Sequence, residues 1–373
     1  RGLSWWECTR SKCLGTGWTD STGSGSMASV RFATIGTNFI VDKFLTAAVP
    51  VAGFELVAVY SRDVERAEHF ADKHKAIATR VGGLLPFSDL AELAACPEVD
   101  AVYIASPTSC HAKQAIQMLT AGKHVLCEKP ACSHADELAE VLAAAKASGK
   151  AFMEAMRALK TPNFAAVRAS LQGLGSPVRH FAGNFCQLSS RWPAYLAGER
   201  PNAFEAELSN GALMDLGSYA IYSAVALLGH PDDVSYTASM LPTGVDCGGT
   251  VVMRYADSVV TLVISKASHG WNQTEVQTDK GTICINHLAD YDEAYLRTKG
   301  GAAEALGKKG LPGHENMVHQ VEAFVTMVRD GRVEDDILTW NLAMAVAEVL
   351  DRCRESAGIV FPADKSRRAA QRP

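Results

Sequence analysis

Several features that would define other classes of protein are missing from this sequence. No uninterrupted apolar run approaches the roughly 20 residues that a membrane-spanning helix needs. The 36 basic and 41 acidic residues are spread along the 373-residue chain and give a net charge of −5. Because no strong basic field is available to attract a polyanion, we expect neither a nucleic acid nor a membrane as a partner.

Paired cysteines are missing as well. The ten cysteines form no Cys-x-x-Cys sequence, and the spacing of Cys127, Cys132 and His134 fits no common zinc template. Scattered single thiols are typical of a reducing compartment. We therefore expect no metal site and a cytoplasmic location.

The two ends of the chain lack the patterns of folded elements. Residues 1–26 contain no continuous apolar segment of the kind found in secretory signals, and they end in a Ser-Gly-Ser run before Met27. We interpret Met27 as the natural start and residues 1–26 as a non-native or disordered leader. Residues 363–373 are short and basic, and we expect this tail to be frayed.

From residue 30 onward, short apolar strands alternate with amphipathic helices. Strands are predicted at 31–36, 54–60, 101–106, 124–127 and 151–155, and helices at 40–48, 63–75, 90–95, 111–121 and 135–147. Apolar strands between helices are typical of a parallel sheet that is covered on both faces. Residues 27–156 are therefore predicted to form an α/β domain of the Rossmann type, with a doubly wound parallel sheet.

The pattern changes after about residue 157, where longer alternating strands dominate. Hairpins are predicted at 251–265 and 276–285, and helices at 319–329 and 338–355. Residues 157–362 are predicted to form an α+β domain with an open, mainly antiparallel sheet.

The first strand–helix turn carries only part of a nucleotide-binding fingerprint. Of the three glycines in Gly-x-Gly-x-x-Gly, only Gly36 is present, and Asn38 and Val41 occupy the other positions. Asn tolerates left-handed backbone, so Asn38 is expected to turn the chain. The start of a helix favours a phosphate, although an ordinary strand–helix turn is the alternative. The residues assigned to the cofactor here are Gly36, Thr37, Asn38, Phe39 and Ile40.

The end of the second strand bears on the choice between NAD and NADP. An NAD enzyme places an acidic residue here to hold the ribose hydroxyls, whereas this chain has Ser61 and Arg62. A guanidinium group binds a 2′-phosphate through paired N–H donors, so Ser61 and Arg62 predict NADP. Two alternatives remain: Asp63 supplies the acid after a one-residue shift, or Arg62 merely begins a solvated helix.

Two further loops follow strands at the same predicted edge. Ser106 and Thr108 are expected to face the nicotinamide ribose, and His111 either contacts the cofactor or caps its own helix. The next strand runs directly into Glu128 and Lys129, and Glu128 is assigned to the cofactor. A surface charge pair is the alternative.

Lys129 is the candidate for proton exchange with a substrate hydroxyl. Burial and a cationic nicotinamide are both expected to lower its pKa into a useful range. Pro130 fixes the backbone after Lys129 and can adopt a cis peptide bond that aims the side chain.

A second polar group lies in an apolar stretch. In a helix, Asp215, Tyr219 and Tyr222 fall at i, i+4 and i+7 on one face, where an acid and two phenols are costly unless they meet a polar ligand. We expect Tyr219 to donate to a substrate oxygen and Asp215 to bind a hydroxyl or orient Lys129. Tyr222 is a substrate contact or a packed core tyrosine.

Two weaker candidates lie near these motifs. Arg157 reaches substrate or cofactor, or it forms an ion pair with Glu154. A polar and aromatic loop shapes a sugar site or is a plain surface loop, and its residues are Trp192, Tyr195, Glu199, Arg200 and Asn202.

With these motifs the chain resembles the glucose-fructose oxidoreductase, inositol dehydrogenase and rhizopine-catabolism (Gfo/Idh/MocA) family, from about residue 31 to 362. The matching motifs are Ile35-Gly36-Thr37, Glu128-Lys129-Pro130 and Asp215-x-Gly217-x-Tyr219. The resemblance implies that Lys129 is catalytic, and that the C-terminal sheet joins subunits into a homodimer or homotetramer. Tyr219 stands where many members carry histidine, as in the glucose-fructose oxidoreductase and dimeric dihydrodiol dehydrogenase branches. This supports an acid–base tyrosine and argues against inositol-type substrates.

The sequence therefore predicts reversible hydride transfer between NADP(H) and a carbinol carbon of a sugar, polyol or dihydrodiol. Lys129 and Tyr219 would exchange the proton, and Asp215 would position the substrate and Lys129. One alternative is an epimerising or transhydrogenating enzyme that keeps its cofactor tightly bound. The other is a non-enzymatic NAD(P)-binding sensor on the same fold.

Overall fold

The computed structural model describes residues 29–364, and a parallel sheet forms the first half. Its six strands are β1 (Val30–Ile35), β2 (Phe54–Tyr60), β3 (Leu85–Phe87), β4 (Ala101–Ile104), β5 (His124–Cys127) and β6 (Phe152–Glu154). Their order is β3-β2-β1-β4-β5-β6, and every neighbouring pair is parallel. The order reverses at β1, so the carboxyl ends of β1 and β4 flank the crevice where doubly wound sheets bind ligands.

Five helices belong to this sheet, and three of them begin where an Asn or Asp side chain caps the first turn. They are α1 (Phe39–Ala48), α2 (Val64–Lys73), α3 (Leu90–Ala95), α4 (Thr108–Thr120) and α5 (Ala135–Ser148). The caps of α1, α2 and α3 are Asn38, Asp63 and Asp89, each of which accepts a hydrogen bond from a backbone N–H of the following turn. The α/β pattern predicted for this half is confirmed. β3 was not predicted, because it has three residues with a proline in the middle.

The second half contains a mixed sheet in which one central pair is parallel. Its eight strands are β7 (Val178–Cys186), β8 (Asp233–Met240), β9 (Asp246–Arg254), β10 (Val259–Ser265), β11 (Thr274–Thr278), β12 (Gly281–Ile285), β13 (Ala294–Thr298) and β14 (Glu304–Ala305). Their order is β14-β13-β12-β11-β7-β10-β9-β8, with β7 and β10 parallel and all other neighbours antiparallel. The mainly antiparallel sheet and the two predicted hairpins, β9–β10 and β11–β12, are confirmed.

Five more helices pack on an apolar core that runs through both halves, and a second apolar cluster packs the parallel sheet against α3, α4 and α5. The five further helices are α6 (Pro162–Leu174), α7 (Trp192–Leu196), α8 (Ser218–Leu228), α9 (Met317–Arg329) and α10 (Trp340–Ala357). By length and composition the stretch Ala206–Leu228 would be long enough to cross a membrane, although no apolar run of that length was expected. However, 78% of its most apolar window is buried inside the structure, as is usual for the core helix of a globular protein.

Buried ion pairs fix the last helix. Arg354 in α10 pairs with Asp351 (2.7 Å) and Asp364 (2.6 Å), and all three residues are buried. Asp351 also accepts a hydrogen bond from the N–H of Ala135 at the start of α5 (3.1 Å). Helix α10 therefore joins the two halves.

The predicted leader lies outside the described residues, as does the predicted tail from residue 365 onward. Asp364, which was assigned to that tail, belongs to the fold.

We expect Arg354→Met to destabilise the protein by about 3–5 kcal/mol, because it leaves two carboxylates buried without their cation. The matched control is Arg254→Met, which breaks the exposed pair with Asp233 (3.7 Å) and is expected to cost less than about 1 kcal/mol. Urea unfolding of both variants measures the difference. Equal, small losses would show that the Arg354 cluster does not hold the helix.

Candidate active site

The turn between β1 and α1 is shaped by Gly36. Its φ is +119°, and a Cβ added there would lie 2.8 Å from the carbonyl oxygen of Ala105. Asn38 does not adopt the left-handed conformation predicted for it, because Gly36 already supplies the positive φ. Asn38 is extended (φ −86°, ψ 176°), caps Ile40 and donates from its side-chain amide to Ala105 (2.7 Å). The start of α1 thus stands close to the loop after β4, an arrangement that fits a dinucleotide phosphate.

The other residues assigned to the cofactor lie around this crevice. Ser61 is buried and its hydroxyl accepts from the N–H of Asp63 (3.4 Å), whereas Arg62 is exposed. Asp63 accepts from the N–H of Arg66 (3.2 Å) as the cap of α2. Phe39, 64% exposed, faces the ring of His314, with ring centres 6.4 Å apart.

The loop after β4 is tied to the loop after β5 through His111. Helix α4 begins at Thr108, so Thr108 and His111 both lie in its first turn. The two ring nitrogens of His111 lie 2.7 Å from the carbonyl oxygen of Ser106 and 3.0 Å from that of Pro130. Burial lowers the pKa of His111. Its imidazole thus joins the two loops instead of capping the helix. The Ser106 hydroxyl donates to Gln114 (2.6 Å).

Lys129 is the centre of a cluster at this edge. The Lys129–Pro130 peptide bond is cis. The Lys129 ammonium donates to Oδ1 (2.6 Å) and to the carbonyl oxygen (2.9 Å) of Asp215, and it lies 4.7 Å from the centre of the Tyr219 ring. The preceding Glu128 accepts a hydrogen bond from the hydroxyl of Tyr103 (2.6 Å). The structure therefore brings Lys129, Asp215 and Tyr219 together.

The electrostatics of this cluster differ from the expectation. Burial acts to lower the pKa of Lys129, but Asp215, Tyr219 and Glu128 outweigh it, so the pKa lies above its ordinary value. The predicted lowering is wrong for this state of the protein, because it left out the carboxylate that contacts the ammonium. Burial acts to raise the pKa of Asp215, but Lys129 and Lys266 hold it well below its usual range.

Lys266 is a member of the site that sequence reasoning missed. It follows β10 directly, and its ammonium donates to Oδ2 of Asp215 (2.6 Å). No local motif marks it, because 51 residues separate it from Asp215. Only the placement of β10 beside the Asp215 turn makes them neighbours.

Asp215 lies in a π-helical turn, Leu213–Gly217, that precedes α8. The turn is anchored by buried Asp246, which accepts from the N–H of Leu213 (2.8 Å) and the hydroxyl of Tyr236 (2.6 Å). Such turns are frequent at functional sites, and this one leaves the Asp215 carbonyl to accept from Lys129. Three residues were predicted to share a helix face. Asp215 and Tyr219 both lie close to the Lys129 ammonium, whereas Tyr222 bonds to Glu154.

Tyr222 and Arg157 both have partners other than those expected at first. Tyr222 is only 1% exposed and donates to Glu154 (2.5 Å), as a core tyrosine would. Arg157 does not pair with Glu154. Its Nη1 lies 2.7 Å from Asp290, 2.5 Å from Asn316 and 2.6 Å from the carbonyl oxygen of Gly313, and its guanidinium stands 5.6 Å from the Tyr219 ring. Two cations, the Lys129 ammonium and the Arg157 guanidinium, therefore lie close to the Tyr219 ring.

The polar and aromatic loop packs on itself beside this cluster. Trp192 and Tyr195 are stacked, with ring centres 5.3 Å apart, and both contact Phe204. The Phe204 ring lies 5.5 Å from the ammonium of Lys266. Arg200 pairs with Glu205 (2.5 Å). Through Phe204 and Lys266, this loop is connected to Asp215.

A dinucleotide-dependent dehydrogenase uses groups of this kind: an ammonium, a carboxylate and a phenol beside a turn that suits a nucleotide. Residues 30–156 match a family described as an oxidoreductase family with an NAD-binding Rossmann fold, and residues 173–284 match the GFO/IDH/MocA C-terminal domain. The chain belongs to the Gfo/Idh/MocA family, and it is an NAD(P)-dependent oxidoreductase that transfers hydride.

Individual relatives align with nearly the whole described chain. A scyllo-inositol 2-dehydrogenase (NADP(+)) of Bacillus subtilis is 41% identical, and the match covers 90% of this chain and 100% of the relative. A trans-1,2-dihydrobenzene-1,2-diol dehydrogenase of Mus musculus is 28% identical, with 90% and 99% covered. The solved structure of an aldose-aldose oxidoreductase from Caulobacter crescentus, complexed with glycerol, has a TM-score of 0.76 at 19% identity, covering 88% of this chain and 98% of that one. At that identity the likeness shows the fold.

Glu154 is a buried acid next to the cluster. It is 6% exposed and accepts hydrogen bonds from Tyr222 (2.5 Å) and from the N–H of Ala131 (3.1 Å). Burial raises its pKa from 4.5 to about 7. Because the folded-state pKa is raised, its effect favours folding most at low pH and is lost as the pH rises through about 7.

We expect Glu154→Gln to remove this pH dependence. Between about pH 5 and pH 8 the wild type should lose roughly 3 kcal/mol of unfolding free energy relative to the variant, since the folded state resists ionisation of Glu154. Urea unfolding at both pH values measures this. In the control Glu68→Gln, an exposed residue of α2, the pH dependence should match the wild type. Parallel curves for all three proteins would contradict the raised pKa.

Proposed function

We propose that the protein is an NADP-preferring dehydrogenase that interconverts a carbinol and a carbonyl in a sugar, a polyol or a dihydrodiol. The observation that carries this proposal is the contact of the Lys129 ammonium with both Asp215 and Tyr219 at the edge where the nucleotide turn lies. The 41% identical relative is a scyllo-inositol dehydrogenase. This relative weakens the doubt that Tyr219 raises about inositol-type substrates, so cyclic polyols belong to the proposed class.

The proposed chemistry divides the work among three side chains. A bound nicotinamide supplies the acceptor or donor of the hydride. Lys129, which is protonated beside Asp215, donates a proton to the carbonyl oxygen in the reducing direction, and Tyr219 shares that proton in both directions. Asp215 fixes Lys129 through two oxygen atoms. A sugar or polyol hydroxyl adds a further hydrogen bond at this polar cluster.

Cofactor binding is proposed at the turn from Gly36 to Ile40, with the 2′-phosphate at Ser61 and Arg62. Asp63 is engaged as the cap of α2, so the one-residue shift that would favour NAD has less support. Ser106, Thr108 and Glu128 remain proposed contacts of the nicotinamide half. His111 acts on this region through the two carbonyl groups that it contacts.

The outer face of the second sheet is the proposed subunit interface of a homodimer or homotetramer. Val259 and Val263 on β10 are each 41% exposed, so the centre of this face is partly apolar. We also propose the boundaries 27–156 and 157–362 for the two domains, and a cytoplasmic location.

Lys129→Met should cut turnover by orders of magnitude and leave cofactor binding almost intact. Loss of a positioned proton donor reduces the rate by about 10²–10⁴-fold. NADP-linked absorbance with panels of sugars, polyols and dihydrodiols measures turnover, and NADPH fluorescence measures binding. Lys113→Met, at an exposed position of α4, serves as the control and should keep wild-type activity.

The other classes of function lead to different outcomes. Near-normal turnover of Lys129→Met would refute the assignment of Lys129. Cofactor that stays bound to the wild type through gel filtration would favour the epimerising or transhydrogenating enzyme. Tight NADP binding without turnover on any panel would favour the sensor.

Arg62→Ala should weaken NADP binding by about 10–100-fold, because a charge-assisted hydrogen bond contributes about 1.5–3 kcal/mol. Binding of NAD should change little, because NAD has no 2′-phosphate. Fluorescence titration with NADPH and NADH measures both affinities. Arg66→Ala, one turn further along α2, is the matched control. An unchanged preference in Arg62→Ala would show that Arg62 does not contact the phosphate.

A further inference from the structure

The carboxylate of Asp215 has an ammonium group on each of its two oxygen atoms. Lys129 donates to Oδ1 and Lys266 donates to Oδ2, both at 2.6 Å. The side chain of Lys266 is only 6% exposed. Its backbone is held on both sides, since its N–H donates to Cys247 (2.7 Å) and its carbonyl accepts from Ser189 (2.8 Å). Lys266 is therefore a fixed part of the cluster.

A second buried lysine is costly at this position. Lys129 already pairs with Asp215, and removing another ammonium from water carries a desolvation penalty that ion pairing offsets only in part. The three groups together leave one positive charge in a cluster whose two lysine side chains are nearly buried. The ion pairs in this cluster add little to stability, because desolvation offsets them, but they alter the proton affinities of the lysines and of Asp215.

We propose that Lys266 is a positioning residue of the proton-transfer site. It holds Oδ2 of Asp215 so that Oδ1 faces Lys129, and it takes a share of the carboxylate's charge that would otherwise act on Lys129 alone. The inference rests on the proposed function for the part that concerns turnover. Its charge-sharing part concerns the proton affinity of Lys129 and is measurable without turnover.

The direction of the effect follows from the charges. Removal of Lys266 takes away a cation close to Lys129 and leaves the full field of Asp215 on it, so Lys129 holds its proton more tightly. The other groups that face Lys129 or the Tyr219 ring stay in place: Glu128, Glu154, His111, His314 and Arg157.

The first test uses the pH profile of oxidation. In Lys266→Met, the limb of kcat/KM that rises with pH should move upward by about one pH unit. Lys266→Arg keeps the cation, and its limb should stay at the wild-type position even if its rate is lower. A Met variant that loses activity while its limb stays in place would show that Lys266 has a structural role only.

The second test reads Lys129 directly. Acylation with acetic anhydride attacks only the unprotonated amine, and mass spectrometry of the Lys129 peptide gives its rate at a fixed pH. The rate should fall about tenfold in Lys266→Met, as expected for a shift of one pKa unit, and should stay unchanged in Lys266→Arg. An unchanged or faster rate in the Met variant would overturn the proposal.

Lys266→Gln is a second variant for the case that Lys266→Met does not fold. It keeps a donor for Oδ2 without the charge, so it should slow the labelling of Lys129 as the Met variant does, while lowering kcat less. Unchanged labelling in Lys266→Gln would overturn the charge-sharing role. Slower labelling with no movement of the pH limb would leave charge sharing intact and would refute the proposed role of Lys129 in turnover.

Discussion

One carboxylate, held between two nearly buried ammonium groups, connects three distant parts of this chain. Asp215 belongs to the π-helical turn before α8, Lys129 to the loop after β5, and Lys266 to the end of β10. The pairs at 2.6 Å hold the edge of the parallel sheet against the inner side of the second sheet. Removal of either lysine would leave Asp215 with one cation, whereas removal of Asp215 would leave two nearly buried ammonium groups without their common partner. The cleft therefore owes its geometry to charge pairing as well as to apolar packing.

The same constraint fixes the phenol of Tyr219. It follows Asp215 by four residues, and its ring lies 4.7 Å from the Lys129 ammonium and 5.6 Å from the Arg157 guanidinium. Arg157 is in turn held by Asp290, from the loop between β12 and β13, and by Asn316, which directly precedes α9. The side chain proposed for proton exchange is thus placed by elements from both halves of the chain. Neither sheet alone would build the site.

The sequence was sufficient for features that depend on local pattern. Strand and helix periodicity predicted the parallel sheet and the hairpins. Short motifs singled out Lys129, Asp215 and Tyr219, which the structure brings together. Features that depend on distant neighbours were missed or wrong. The parallel pairing of β7 with β10 joins segments about 80 residues apart, and Lys266 reaches Asp215 only through that sheet. The pKa of Lys129 was expected to be lowered, because its contact with Asp215 could not be read from the sequence. The left-handed backbone expected at Asn38 is found at Gly36 instead.

The imidazole of His111 links two regions to which separate roles are proposed. It contacts one carbonyl in the loop proposed to face the nicotinamide and another at Pro130, next to Lys129. Any substitution of His111 removes both contacts at once. A defect in cofactor affinity and a defect in proton transfer are therefore expected to arise together from a change at this one residue.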